Sequence, residues 1–181
     1  MLRVFIRLLA LVAALVLLVV GIGSSLPRGF SLEQSIQISA PADVVFNQVN
    51  DLHYWLKWSP WRTELLTADK VQVGEPFAGS GAKLNWEDPR GVGKLWLTES
   101  EPPKRITYEM VIAQFRDVQG EFTLDDRDGS TNVTWKCHGK LPGAWFYGFL
   151  GGVYRVEMER QFQMSLQRLK IDCESVVAAQ K

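Results

Sequence analysis

Cysteine and histidine are scarce in this chain, with two of each among 181 residues. Cys137 and Cys173 do not form a Cys-x-x-Cys pair, and His53 and His138 are separated by most of the chain. A zinc ribbon, a thioredoxin-type redox pair or a histidine-based metal centre needs more of these ligands at closer spacing. We therefore expect no bound metal and no cofactor.

An excess of charge is also absent, because 20 basic side chains balance 20 acidic ones and the formal net charge is zero. No phosphate-binding surface is indicated, so we expect no nucleic-acid partner. The chain also lacks a Gly-x-Ser-x-Gly elbow and a Gly-x-x-x-x-Gly-Lys loop. Gly91-Val92-Gly93 precedes a strand pattern rather than a helix, which excludes a dinucleotide loop. No catalytic residue is assigned from a motif.

One long segment near the N-terminus carries no charge. Leu8–Gly23 consists almost wholly of leucine, valine, alanine and isoleucine, and residues 4–23 have about the length that crosses a bilayer core. We interpret residues 1–23 as a single-pass transmembrane anchor that contacts the membrane through residues 4–23. A signal sequence is the alternative, but no Ala-x-Ala precedes a cleavage site and the apolar run is long for one.

The charges on either side of this segment indicate its orientation. Arg3 and Arg7 precede it, whereas only Arg28 lies close after it. The positive-inside rule then places the N-terminus in the cytoplasm and the domain outside it, in the periplasm if the source is a Gram-negative bacterium. We expect a linker over residues 24–30, a domain over 31–174 and a frayed tail over 175–181.

The domain opens with a strand pattern followed by a helix pattern. Residues 32–39 alternate between apolar and polar side chains, which is typical of a half-buried strand. A helix-start signal and apolar residues at helical spacing then predict a helix over residues 41–50. Trp55, Trp58 and Trp61 follow at steps of three, and a short helix would place them on one side.

The rest of the chain predicts strands and then one long helix. Residues 70–141 contain about six short alternating runs separated by turn signals, which predicts an antiparallel meander with one apolar face. Residues 144–152 are expected to form a loop or a short helix. A long helix over about Val153–Glu174 would dock on the sheet through one apolar stripe. That stripe comprises Tyr154, Met158, Phe162, Leu166, Leu169 and Cys173.

This order predicts an α+β domain in which a curved antiparallel sheet packs against the long C-terminal helix. An apolar cavity is a natural product of that arrangement. The helix would carry Cys173 about 30 Å from its own start, whereas Cys137 lies only about 13 Å before the end of its strand. We therefore expect two free, buried thiols rather than a disulfide.

Two segments carry a likeness to a known family. They are residues 36–46 (Ile-Gln-Ile-Ser-Ala-Pro-Ala-Asp-Val-Val-Phe) and residues 55–61 (Trp-Leu-Lys-Trp-Ser-Pro-Trp). Further matching residues lie at 49–51, 79–82, 86, 91–93, 101–103, 131–135 and 166–170. On these residues the chain resembles the START-like, helix-grip superfamily, also called SRPBCC. Within it the chain is most similar to the polyketide cyclase/dehydrase and lipid-transport family, over about residues 31–170.

The resemblance implies a sheet of about seven strands that grips the long C-terminal helix around an apolar cavity. Family members include lipid carriers, hormone-binding proteins and aromatic-polyketide cyclases, and they share no fixed catalytic set. The expected function is binding of a hydrophobic or amphipathic small molecule, such as a lipid, quinone or isoprenoid, at a membrane. The expected lining residues are Trp55, Trp58, Trp61, Leu84, Trp86, Leu95, Tyr108, Met110, Phe122, Trp135, Met158 and Phe162.

Two other functions fit the same sequence. A cyclase or dehydratase would need an acid–base pair facing the cavity, but Glu109 and Glu121 have outward parity and Tyr108 is the inward-facing candidate. An interaction module would fill its cavity with its own side chains and present residues 145–150 as a patch that contacts a partner or a membrane. Ligand identity and oligomeric state stay open.

Overall fold

The computed structural model of the chain describes residues 2–89, 91–112, 115–141 and 145–180. Its helices are α1 (Leu2–Ser25), α2 (Ala42–Asn50), α3 (Trp55–Trp58), α4 (Arg62–Thr67) and α5 (Trp145–Ala179). Its strands are β1 (Gly29–Ile38), β2 (Lys70–Val73), β3 (Lys83–Asp88), β4 (Gly91–Glu101), β5 (Arg105–Ile112), β6 (Phe115–Arg127) and β7 (Ser130–Lys140).

All seven strands form one antiparallel sheet in the order β1-β7-β6-β5-β4-β3-β2. Strands β2 to β7 pair with their neighbours in sequence, and β1 completes the sheet beside β7. The α+β architecture predicted from the alternating runs and the long C-terminal helix is therefore confirmed, and so is the helix-grip fold that the resemblance implied.

Side chains of one parity form continuous rows across the inner face of the sheet. One row pairs Leu97 with Tyr108, Tyr108 with Gly120, Gly120 with Cys137, and Cys137 with Leu32, and all five residues are buried. The Tyr108 ring crosses Gly120 so closely that an added Cβ would lie 2.1 Å from Tyr108 Cζ. Glycine is required there because any larger residue would displace the ring.

The C-terminal half of α5 lies along the β1 edge of the sheet. Lys170 Nζ donates to Gln37 O at 2.8 Å, and Glu174 Oε1 accepts from Ser39 N at 2.9 Å. Lys170 and Glu174 also pair with each other, with Nζ 3.4 Å from Oε1. These contacts give partners to backbone groups at an edge that would otherwise be open to another strand.

Helix α5 is longer than predicted at both ends. It begins at Trp145, although residues 144–152 were expected to form a loop or a short helix, and it continues to Ala179 through the expected tail. At the C-terminal end, Val177 packs against the core and holds the last turns. At the N-terminal end, α1 lies against α5, and such tertiary packing overrides the low helix propensity of the local glycines.

Two other boundaries differ from the predictions. β1 begins at Gly29 rather than Leu32, because Gly29 pairs with Lys140 and Phe30 is buried. The connection from α1 is thus only residues 26–28, shorter than the expected linker over residues 24–30. The short helix α4 was not predicted, and the buried side chain of Leu65 anchors it to the core.

Helix α1 is exposed along nearly its whole length. Arg3–Ser25 is a helix of 23 residues with mean hydropathy 2.9, long and apolar enough to cross a membrane. A signal sequence near an N-terminus can also be long and apolar enough to meet this description.

The two cysteines are buried and free, as predicted. Cys137 lies on β7 and Cys173 on α5. Burial raises the pKa of each thiol to about 12, so both are neutral at physiological pH.

Candidate functional site

Seven of the twelve expected lining residues form one continuous group of aromatic rings, called here the aromatic cluster. Neighbouring ring centroids in it are 4.0 to 6.4 Å apart, from Trp135–Phe162 to Trp61–Phe162. The cluster comprises Trp55, Trp58, Trp61, Tyr108, Phe122, Trp135 and Phe162.

The segment from Trp55 to Trp61 positions three of these rings. α3 is a single turn, and Ser59 ends it in an extended conformation with φ −62° and ψ 158°. The chain then turns through Pro60, so that the Trp61 ring stacks on Trp55 with an interplanar angle of 8° and centroids 6.0 Å apart. The expected grouping of the three tryptophans is therefore present, although a helix break produces it rather than a continuous helix.

The end of α2 provides acceptors for the two tryptophans of α3. Trp55 Nε1 donates to Val49 O at 2.7 Å, and Trp58 Nε1 donates to Gln48 O at 3.2 Å. Both indoles are fully buried, and a buried N–H without an acceptor would cost about 1–3 kcal/mol. These bonds hold α3 against α2 and fix the two rings as part of the core.

Tyr108 faces inward, as its parity predicted. Its hydroxyl accepts a hydrogen bond from Trp135 Nε1 at 3.1 Å. Burial, with a contribution from the neighbouring Cys137, raises the pKa of Tyr108 well above its ordinary value. The hydroxyl therefore stays neutral and offers no base for acid–base chemistry at physiological pH.

Exposure separates one ring from the rest of the cluster. Trp55, Trp58 and Trp135 are 0% exposed, whereas Trp61 is half-buried. Met158, one turn along α5 from Phe162, is also half-buried, and both Trp61 and Met158 pack against the core. The side chains of Trp61 and Met158, called here the Trp61 edge, form an accessible border of the cluster.

Two buried polar groups flank Trp58. Ser59 Oγ and Gln48 Oε1 have no hydrogen-bond partner among the described residues. Ser59 is 0% exposed and Gln48 is 7% exposed, so each unpaired group costs about 1–3 kcal/mol unless something binds it. Sequence reasoning did not select either residue. The available signals were a glutamine in an apolar stretch of α2 and a serine between Trp58 and Pro60.

The remaining expected residues lie in the same core but outside the ring contacts described for the cluster. Leu84, Trp86, Leu95 and Met110 are buried on β3, β4 and β5. The Trp86 ring crosses Gly93 in the way that Tyr108 crosses Gly120. The sheet thus has an aromatic region toward β7 and a largely aliphatic region toward β3.

Potential metal ligands are not grouped in this core. Among the described residues, no set of three or more histidine, cysteine, aspartate or glutamate side chains is placed to hold a metal ion.

A seven-stranded antiparallel sheet closed by a long C-terminal helix defines a START-like, helix-grip protein, the SRPBCC class. Within that class, the chain belongs to the polyketide cyclase / dehydrase and lipid transport family, whose sequence profile matches residues 29–174. The comparison with curated proteins gives no match.

Solved structures with the same fold include proteins from three bacteria. TTHA0849 from Thermus thermophilus is 16% identical with a TM-score of 0.61, covering 81% of this chain and 99% of that one. BH1534 from Bacillus halodurans is 16% identical with a TM-score of 0.56, covering 79% and 96%. The Aha1 dimer from Colwellia psychrerythraea is 14% identical with a TM-score of 0.54, covering 78% and 93%. At these identities the likeness concerns the fold alone.

Proposed function

We propose that this chain binds a hydrophobic or amphipathic small molecule, of the lipid, quinone or isoprenoid kind, while α1 anchors it in a membrane. The family that includes lipid-transport proteins supports the ligand class. The apolar core, with its twelve expected lining residues, supports the same class because apolar ligands bind where large apolar side chains converge.

The half-buried ring of Trp61 is the observation that carries this proposal. The fully buried rings contact one another, and the indole N–H groups of Trp55 and Trp58 donate to backbone carbonyls of α2. These rings therefore form the packed interior behind the site and not the surface that a ligand contacts. An apolar ligand lies against the Trp61 edge, beside Met158 of α5.

Anchoring by α1 holds the domain at the membrane, from which a ligand of this class would reach it. The helix Arg3–Ser25, with 23 residues and a mean hydropathy of 2.9, is long and apolar enough to cross a bilayer, and molecules of this class partition into bilayers because their apolar surface leaves water. Arg3 and Arg7 at the N-terminal end of this helix favour a cytoplasmic N-terminus and an extracytoplasmic domain.

Native mass spectrometry of the full-length chain, extracted gently from its source membrane, tests the binding proposal. We expect a reproducible lipid-like adduct that organic extraction recovers. A clean unliganded mass, together with no thermal stabilisation by a panel of lipids and quinones, would overturn it.

Trp61→Ala and Trp96→Ala form a matched pair for the site. Both tryptophans are half-buried, but Trp96 lies between buried Leu95 and Leu97 and so occupies the outer face of the sheet. We expect Trp61→Ala to weaken adduct formation about tenfold or more, because a large apolar contact contributes about 1.5–3 kcal/mol. Trp96→Ala should leave binding unchanged. Equal losses of ligand binding in the two variants would show that the Trp61 edge is not the binding site.

The close packing of the aromatic cluster favours a second candidate, an interaction module whose interior is filled by its own side chains. Ring centroids only 4.0 Å apart at Trp135–Phe162 leave no space for a ligand between those two rings. A protein that stays unliganded in the mass-spectrometric test and still captures a partner would favour this candidate.

A further inference from the structure

The N-terminal half of α5 carries an apolar face directed away from the sheet. Phe146, Phe149, Val153 and Val156, called here the outer stripe, recur at steps of three, four and three, which places them on one side of a helix. They are 41%, 47%, 70% and 67% exposed, respectively. By helical angle this side is opposite to the face that buries Phe162 and Leu169.

The outer stripe lies at the end of the domain where α1 attaches. Gly29, at the start of β1, pairs with Lys140, and Leu141 N donates to Arg28 O at 2.8 Å. α5 begins only four residues after Leu141, so its N-terminal half starts close to the C-terminal end of α1. The opposite end of α5 reaches Ser39, at the far end of β1.

Helices α1 and α5 are in contact at this end. Gly23 near the end of α1 is buried although the residues on either side of it are exposed. A shallow, open apolar depression lies beside the last turns of α1, lined by Leu17, Leu18, Gly21, Ile22, Ser25 and Leu26. Because α1 contacts α5, this apolar surface of α1 and the start of α5 lie side by side.

The sequence at the start of α5 has the composition of a segment at a membrane surface. No charged residue occurs between Lys140 and Arg155. Tryptophan and tyrosine, which concentrate at bilayer interfaces, occur at positions 145, 147 and 154. Ten charge-free residues of helix from Trp145 extend about 15 Å, or half the thickness of a bilayer core.

We propose that the outer stripe of α5 inserts into the same bilayer leaflet from which α1 emerges, so that the domain lies on the lipid surface instead of hanging free from its anchor. This proposal rests on membrane anchoring by α1, because the bilayer is the partner whose apolar surface is continuous with the α1 span. Insertion of the outer stripe also brings the start of α5 to the lipid phase. From there α5 continues to Met158, which is part of the Trp61 edge.

The experiment uses the full-length chain in nanodiscs of phosphatidylethanolamine and phosphatidylglycerol, with one fluorophore attached to an introduced cysteine. Val153→Cys reports on the outer stripe. Ile171→Cys is the matched control, because Ile171 is 65% exposed and lies 18 residues further along α5, which is five full turns and therefore the same face. Leu11→Cys in α1 reports on the anchor itself, and the unmodified chain provides the labelling blank because its own thiols are buried.

Spin-labelled lipid should quench the Val153 label several-fold more than the Ile171 label, and aqueous iodide should show the reverse order. Iodide quenching of the Val153 label equal to that at Ile171 would overturn the proposal. Protection of the Val153 label from both quenchers would also overturn it, because a protein partner or a second copy would then cover the stripe. Lack of lipid quenching at Leu11 would instead remove α1 as the anchor, so the two failures are distinguishable.

Discussion

The two halves of α5 meet different surroundings within one continuous helix. In the C-terminal half, Phe162, Leu166 and Leu169 are buried against the sheet, and the opposite side is mainly polar, with Ile171 as its exposed large apolar residue. In the N-terminal half, Val153 and Val156 are about two-thirds exposed and face away from the sheet. A helix that is apolar on one side suits a globular core, whereas apolar residues on the outer side suit a partner or lipid.

Helix continuity and burial in α5 have separate causes. Packing against α1 extends α5 through its glycine-rich N-terminal stretch, whereas the burial of its C-terminal half comes from packing on the sheet. Its C-terminal half stabilises the domain, whereas the exposed outer stripe of its N-terminal half is available for contact with the membrane. Substitutions in the C-terminal half should therefore affect stability, and substitutions in the outer stripe should affect membrane contact.

The largest difference between the halves should be in stability. Phe162 is 3% exposed and its ring lies 4.0 Å from Trp135, so Phe162→Ala should destabilise the domain by about 3–5 kcal/mol. Val153→Ala should change stability by less than about 0.5 kcal/mol, because its side chain is exposed. Denaturant unfolding of the full-length chain in micelles measures both. Similar midpoints for the two variants would show that the C-terminal half does not hold the fold.

Thiol reactivity offers a second, smaller contrast. Burial raises the pKa of Cys173 to about 12, which alone slows alkylation roughly thirtyfold after allowing for the greater nucleophilicity of a more basic thiolate. Burial of the sulfur slows it further. A cysteine introduced at Ile171, which is 65% exposed and lies on the part of α5 that stays in water, should react at the rate of a free thiol when the chain is in micelles. The measurement is the time course of iodoacetamide labelling by mass spectrometry. Rapid labelling of Cys173 in the folded chain would contradict the expected difference in reactivity between the buried and the exposed thiol.

Most of the sheet could be predicted because each strand has a simple period. The alternation that places Tyr108, Phe122 and Trp135 on one face follows from strand geometry alone, and the structure buries all three. The start of α5 could not be predicted in the same way. Glycines favour a loop there, and the packing against α1 that favours a helix comes from a residue range more than a hundred positions away.

The candidate site was predictable as a group of residues but not in its internal organisation. The spacing of Trp55, Trp58 and Trp61 indicated that they share one side, yet it treated them as equivalent. The turn at Ser59 makes Trp61 the half-buried member and leaves Trp55 and Trp58 fully buried. Which buried polar groups lack partners also depends on the packing of α2 against α3, so the sequence marks Gln48 as a polar residue in an apolar stretch but does not show that its side-chain oxygen is unpaired.

The smallest expected effect concerns the ion pair that fastens the C-terminal half of α5. The Ser39 backbone N–H, and then Lys170, hold the pKa of Glu174 below its ordinary value. A carboxyl with a lowered folded-state pKa contributes stability above its unfolded pKa and loses it as the pH falls through the folded value. Glu174→Gln should therefore cost up to about 1 kcal/mol at pH 7, and this difference should shrink once the pH falls below the ordinary glutamate value of 4.5.

Glu159→Gln is the matched control for this prediction, because Glu159 pairs with Arg155 within α5 at 2.9 Å and lies before the segment that contacts β1. Its loss should be smaller than that of Glu174→Gln, since an exposed pair within one helix contributes only about 0.3–0.5 kcal/mol. Denaturant unfolding midpoints between pH 7 and pH 3 compare the two variants. If both lost the same stability with the same pH profile, the Glu174 contact to Ser39 would add nothing beyond helix-surface pairing, and the apolar stripe alone would hold α5 on the sheet.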